Sequence, residues 1–308
     1  MKKYILTVMV LVRLYAAISQ TNNVVYMFSY FKDNGQDGLH LAYSYDGYRF
    51  STLKKDSSFL KPIISKDKLM RDPCIIRGKD KKFYLVWTVS WNEKGIGYAS
   101  SVDLIHWSEQ QFIPVMSHED SARNCWAPEI IYDPGKKQYM IYWATTIAGK
   151  YPADTAVERG YNHRIYYVTT KDFIKFSTTK LLYNQGFNVI DASIIIDGNR
   201  FIMFLKDETR YPPQKNIRVA RSDNLTKGYG KPSIPITGNY WAEGPTAIKI
   251  GNQWIVYFDK YQDHKYGAVA SYNLLNWIDI SDKITMPAGT RHGTVFTVTK
   301  DELAVLLK

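Results

Sequence analysis

The sequence predicts an all-β fold, a five-bladed β-propeller whose last blade is closed by strands from both ends of the chain. Three observations carry this reading. Tyr, Phe and Trp make up 15% of the 308 residues, with 24 tyrosines, and long Ala/Leu/Glu/Lys-rich helical stretches are absent, a composition that suits strands. A pattern of polar, acidic or aromatic residues followed by a short strand-like run recurs five times: "MRDPCIIRG" from Met70, "CWAPEIIYD" from Cys125, "NVIDASIIIDG" from Asn188, "WAEGPTAIKI" from Trp241 and "TRHGTVFTV" from Thr290. The starting points Asp72, Ala127, Asp191, Glu243 and His292 are 55, 64, 52 and 49 residues apart, a period that fits four-stranded blades better than a sandwich.

In chain order, the first twenty residues, "MKKYILTVMVLVRLYAAISQ", have the basic start, apolar middle and small residues near the end of a secretory signal peptide. The run is too short for a membrane span and Arg13 would sit inside it. Residues 21–308 then form the single propeller domain, in a periplasmic or secreted protein acting as a monomer. Without Lys2, Lys3 and Arg13 the net charge of +11 becomes +8. That charge is interleaved with acids, which excludes a nucleic-acid footprint and leaves at most a weak preference for anionic surroundings.

Each complete unit continues with an aromatic second strand: "KFYLVWT" from Lys82, "QYMIYWA" from Gln138, "RFIMFLK" from Arg200 and "QWIVYFD" from Gln253. A third segment, such as "GIGYASSVDLIHWS" from Gly95, reads as a strand, a tight turn and an outer strand. The equivalent second and third segments of the last unit, "VVYMFSY" and "GLHLAYSYDGYRFS", begin at Val24 and Gly38. The last blade is therefore built from both termini, which leaves no open sheet edge in the ring. Cys74 and Cys125, the only cysteines, form either one bridge or two buried free thiols; they have no metal-site spacing.

The innermost strands of a propeller line its axis, so their starts converge on one funnel. Asp72, Asp191 and Glu243 meet there, with Trp126 and His292, and carboxylates sharing a confined site raise each other's pKa. Such a cluster suits glycosidic cleavage, in which one protonated carboxyl donates to the leaving oxygen and an ionised one activates water or attacks carbon. Trp126, Trp91 and Trp241 are candidates for stacking on sugar rings. Glu129, on a strand interior, reads as a structural acid paired with a neighbouring blade, "KDE" at 206–208 as a surface charge cluster, and Trp107 and Trp277 as core.

"RDP", "WAPE", the Asp of "VIDAS", "EGP" and "RHG", in this order from residue 24 to 300, resemble glycoside hydrolase family 43, five-bladed propellers acting on arabinose- and xylose-containing plant polysaccharides. The resemblance implies Asp72 as general base, Glu243 as general acid and Asp191 as the acid that tunes and orients it. It implies inversion, with carboxyls about 6.5–9.5 Å apart. His292 resembles the family's axial histidine beneath the sugar, and Arg291 joins it as a substrate contact. No cofactor is required and no metal ligand is assigned, although a calcium ion in the central channel occurs in some members. The related fructan-cleaving propellers carry an Asn-Asp-Pro-Asn that this chain lacks, and a non-catalytic glycan-binding propeller has no need of three acids.

The expected substrate is carbohydrate, with α-L-arabinofuranosyl removal leading and β-xylosidase or galactosidase action as the alternative. The long segment 147–163 reads as an insertion over the pocket that favours removal of terminal sugars.

Overall fold

The computed structural model describes residues 23–151 and 160–308; the leader segment 1–20 and residues 152–159 of the blade-two insertion lie outside them. The chain opens with β1 (Val24–Tyr30), β2 (His40–Ser44) and β3 (Ser51–Thr52). Blade one follows with β4 (Arg71–Arg77), β5 (Phe83–Thr88), β6 (Ile96–Ser101) and β7 (Gln111–Ile113). Blade two has β8 (Trp126–Asp133), β9 (Gln138–Thr145), β10 (Arg164–Thr170) and β11 (Lys180–Tyr183), and blade three β12 (Val189–Asp197), β13 (Arg200–Asp207) and β14 (Asn216–Ser222). Blade four comprises β15 (Glu243–Ile250), β16 (Gln253–Lys260), β17 (Lys265–Ser271) and β18 (Ile278–Asp279). Finally β19 (Thr294–Thr299) pairs antiparallel with β1, Val24 opposite Thr299, and completes blade five before helix α1 (Lys300–Leu306).

The innermost strands touch in a closed circuit, β4 to β8 to β12 to β15 to β19 and back to β4. This is the five-bladed ring that the repeat predicts, with the termini joined in one sheet. Within each second strand, alternation sends side chains to both faces. In β5, Leu85 and Trp87 pack with Met27 of blade five, while Tyr84 and Val86 pack with Ile130 and Ile141 of blade two. Both faces are dry, so these strands read as unbroken apolar runs. Each of the five gaps between neighbouring blades holds its own apolar cluster.

Blade three departs from the four-strand expectation, with three strands. Pro232 and Pro235 explain the loss, because neither can donate to a ladder. The segment still covers the edge of β14 through Gly230 N–H to Arg221 O, Ser233 N–H to Val219 O and Ile236 N–H to Ile217 O. The outer strands of blades one and two start beyond the aromatic residue that follows the turn: Trp107 and Phe176 make isolated bridges to Ser101 and Thr170 before β7 and β11 begin. Cys74 and Cys125 are both buried free thiols. Among the described residues no helix is long and apolar enough to cross a membrane.

Candidate active site

Four of the innermost strands carry the same irregularity near their start. Register slips by one residue between Arg71 and Cys74, Trp126 and Glu129, Ile190 and Ser193, and Glu243 and Thr246. At each slip one residue takes a positive φ: Asp72 at 51°, Ala127 at 46°, Asp191 at 52° and Gly244 at 60°. This is the bulge in which an extra residue is turned into the left-handed region and the strand is re-aimed. Asp enters that region at lower cost than most residues, which accounts locally for two of the four positions. Gly244 is required sterically as well, since a Cβ there would lie 2.3 Å from Cγ of His292.

The bulge register corrects the sequence alignment at one point. Gly244, not Glu243, is equivalent to Asp72 and Asp191. Glu243 stands one residue earlier, in the place of Arg71, Trp126 and Ile190, and all four of those residues line one pocket together with Asp72 and Asp191. The pocket has a volume of about 680 Å³ and is also walled by Trp91, Lys206, Glu208, Trp241, Tyr261 and His292. The structure therefore brings Asp72, Asp191, Glu243, His292 and the three tryptophans to one place.

Backbone donors of neighbouring bulges fix the two aspartates. The Ala127 N–H donates to Thr88 Oγ1 at 2.8 Å, and Thr88 Oγ1 donates to Asp72 Oδ2 at 2.8 Å. The Gly244 N–H donates to Asp191 Oδ2 at 3.1 Å. Between them His292 Nδ1 lies 3.3 Å from Asp72 Oδ1 and 4.0 Å from Asp191 Oδ2. Burial pushes the Asp72 carboxyl up, but the hydrogen bond and charge of His292, with Arg71 and Thr88, hold it down at about 2. For Asp191 burial prevails, with Glu243 and Asp72 adding to it against His292 and Lys206, and its pKa rises to about 6. His292 resists its own burial through the two aspartates, which raise it to about 9, so it is an imidazolium at neutral pH.

Glu243 sits between two cations. Arg291 Nη2 donates to its Oε1 at 3.0 Å and Lys206 Nζ to its Oε2 at 3.0 Å. Arg291, expected as a substrate contact, is not part of the pocket wall; its Nε donates to the buried Asp259 at 2.6 Å, so it bridges two acids of blade four. Burial drives Asp259 up to about 6, helped by Glu243 and opposed by Arg291.

The "KDE" segment is not a surface cluster. Lys206 and Asp207 are buried, and Lys206 and Glu208 line the pocket. Strand alternation explains it: Ile202, Phe204 and Lys206 share one buried face of β13, and the ammonium at its end meets Glu243 and Glu208 instead of water. Burial works against the Lys206 charge, yet Glu243, Glu208 and Asp191 hold its pKa well above the ordinary value.

Trp126 Nε1 donates to the Trp91 carbonyl at 2.9 Å and the two rings meet edge to face at 5.6 Å. Trp91 is held by Asn34 at 3.1 Å and by the Arg71 guanidinium 4.2 Å from its ring. It remains 41% exposed and Trp241, across the mouth beside Tyr261, is 40% exposed, so both present ring surface to a ligand. Glu129 pairs with the neighbouring blade as expected, accepting from Cys74 Sγ of blade one; it also accepts from Thr294 Oγ1 of blade five, and burial raises it to about 7. Among the described residues no group of three His, Cys, Asp or Glu side chains is placed to hold a metal.

A family profile described as "Probable glycosyl hydrolase domain", a family-43-related group, matches residues 22–304. The chain belongs to the family-43-related glycosyl hydrolases. An α-L-arabinofuranosidase of Bifidobacterium longum subsp. longum is 22% identical over 220 residues, covering 59% of this chain; the chain spans a fifth of that relative's length. In fold it is similar to a thermostable family-43 glycoside hydrolase, with a TM-score of 0.56, 18% identity and coverage of 74% of this chain and 82% of the other. A family-43 β-1,3-galactosidase, crystallised with galactodeoxynojirimycin, superposes with a TM-score of 0.54 at 13% identity, covering 75% and 82%.

Proposed function

We propose that this family-43-related hydrolase removes terminal α-L-arabinofuranosyl groups from plant polysaccharide or oligosaccharide by an inverting general acid/base mechanism. The observation that carries the reading is the placement of Asp72 and Glu243 in one pocket in different surroundings. Asp72, held ionised at about 2 by His292 and Arg71, suits the base that takes a proton from water as its oxygen attacks the anomeric carbon. Glu243 suits the acid that protonates the departing glycosidic oxygen. Asp191, bonded to the backbone immediately after Glu243, orients that acid and adds negative charge near the oxocarbenium-like transition state. Trp91, Trp126 and Trp241 supply ring faces for the sugar and its neighbours.

A wall on the blade-three side of the pocket, formed by Arg210, Tyr211, Pro213 and Lys215, supports binding of a chain end over an internal bond. The arabinofuranosidase of B. longum supports the choice of sugar. The β-1,3-galactosidase neighbour makes galactoside action the alternative, with β-xyloside action beside it. The basic-apolar leader supports a periplasmic or secreted enzyme, working as a monomer.

The test is release of 4-nitrophenol from the α-L-arabinofuranoside, β-D-xylopyranoside, β-D-galactopyranoside and β-D-galactofuranoside, comparing the purified protein with Asp72→Asn. Turnover of the arabinofuranoside that the substitution reduces by at least about 10²-fold supports the reading. Turnover of another glycoside reassigns the sugar, and turnover undiminished in Asp72→Asn overturns the assignment of the base.

A further inference from the structure

A general acid must carry a proton when substrate is bound, yet Glu243 is gripped by two cations. It is the centre of an alternating row: Asp259, Arg291, Glu243, Lys206, Glu208 and Lys215, each joined to the next by an ion pair. Three acids and three bases neutralise one another along it. Arg291 is committed on both sides, to Asp259 at 2.6 Å and to Glu243 at 3.0 Å. Lys206 is divided, with Glu243 Oε2 at 3.0 Å and Glu208 Oε2 at 2.8 Å. Its ammonium also lies 4.6 Å from the Tyr261 ring, so it can lean toward either carboxylate without leaving the pocket wall.

We infer that Lys206 is a positioning residue that governs proton loading of Glu243, and that Glu208 competes with Glu243 for its ammonium. The inference rests on the reading of Glu243 as the acid. Leaning toward Glu243, Lys206 favours the carboxylate; drawn to Glu208, it leaves Glu243 with Arg291 alone and free to take a proton from water. The other charged groups around Glu243 stay fixed in both arrangements. Asp191 is tied to the Gly244 N–H, Asp72 to Thr88 and His292, and Arg71 to Asn34. Lys215 stays on Glu208 through both its carboxylate and its carbonyl. The row is thus one movable cation between two acids, a device for setting the pH range of the enzyme.

The experiment follows the Glu243 carboxyl directly, by ¹³C NMR of protein labelled at glutamate Cδ, its resonance identified by its absence in Glu243→Gln. An opposite charge at this range moves a carboxyl by about 1–3 pH units. The Glu243 titration should therefore rise by at least about one unit in Lys206→Met and fall in Glu208→Gln, which commits the ammonium to Glu243. Lys206→Arg should leave it close to the parent. If one variant does not fold, the other still decides. Titrations that coincide, or that move in the same direction, overturn the inference. The alkaline limb of kcat/KM on α-1,5-arabinobiose separates the two readings. Should the NMR titration move while that limb stays, Lys206 governs Glu243 and Glu243 is not the acid. Should neither move while Glu243→Gln is inactive, the acid stands and Lys206 has no such role.

Discussion

Replacing His292 by Gln removes a buried positive charge from between two carboxylates. Burial by itself would discharge the imidazole, but Asp191 and Asp72 hold its pKa at about 9 against an ordinary 6.5. A group whose pKa is raised on folding contributes stability that is complete below its unfolded value and lost as pH climbs to its folded value. For His292 that window runs from 6.5 to about 9. At about 1.4 kcal/mol per pH unit, the whole window is worth about 3 kcal/mol. Because Asp191 shares the contact and is shifted by it too, about 2 kcal/mol belongs to the histidine. At roughly 2–4 °C per kcal/mol for a chain of this size, the parent should lose about 4–8 °C more in Tm than His292→Gln between pH 6.5 and 9. Scanning fluorimetry of both proteins in matched buffers measures the difference. Asp191, Asp259 and Glu129 all feel the His292 charge and rise further without it, which steepens the variant's own loss and makes about 8 °C the upper bound of the difference. Tm curves that run parallel across this window would refute a charged His292 and, with it, the reason given for the low Asp72 value.

Two further outcomes follow from packing. A Cβ on Gly293 would fall 1.7 Å from the Ser29 carbonyl oxygen, where the closing strand meets the first. Gly293→Ala should therefore cost at least about 3 kcal/mol in urea denaturation, whereas Gly251→Ala, at φ +58° with nothing nearby, should cost about 1–2 kcal/mol. Glu129→Gln removes a buried carboxyl whose pKa is raised from 4.5 to about 7 by burial. Its stability contribution is present below 4.5 and lost as pH rises through 7, so the variant should match the parent at pH 4.5 and exceed it by about 2–3 kcal/mol at pH 8.5 in the same denaturation assay.

The ring was legible because propeller strands repeat their own signal: aromatic second strands buried on both faces cannot be polar on either, and polar starts mark where each chain segment reaches the axis. The closure of blade five was legible from order alone, a second-type strand at Val24 and a first-type strand after His292. Blade three was less so, since its two prolines interrupt a ladder while the chain keeps its path. Within the pocket, Asp72 and Asp191 announced themselves as isolated acids before apolar runs. Glu243 was found but placed one residue out of register, because a bulge turned by Gly244 looks in sequence like one turned by an Asp. Lys206 and Glu208 went unrecognised because charges in sequence read as solvated. The available signal was parity: in "RFIMFLKD" Lys206 falls on the face of Ile202 and Phe204, and a lysine on a dry face needs an acid.

Whether Glu243 protonates the leaving oxygen is decided most directly by hydrolysis of α-1,5-arabinobiose by the parent and by Glu243→Gln. An unactivated disaccharide depends fully on the proton donor, unlike a nitrophenyl glycoside. With Glu243 as the acid, the parent turns the disaccharide over and the variant loses about 10²–10⁴-fold in kcat. Turnover of the disaccharide that survives unchanged in Glu243→Gln would contradict it.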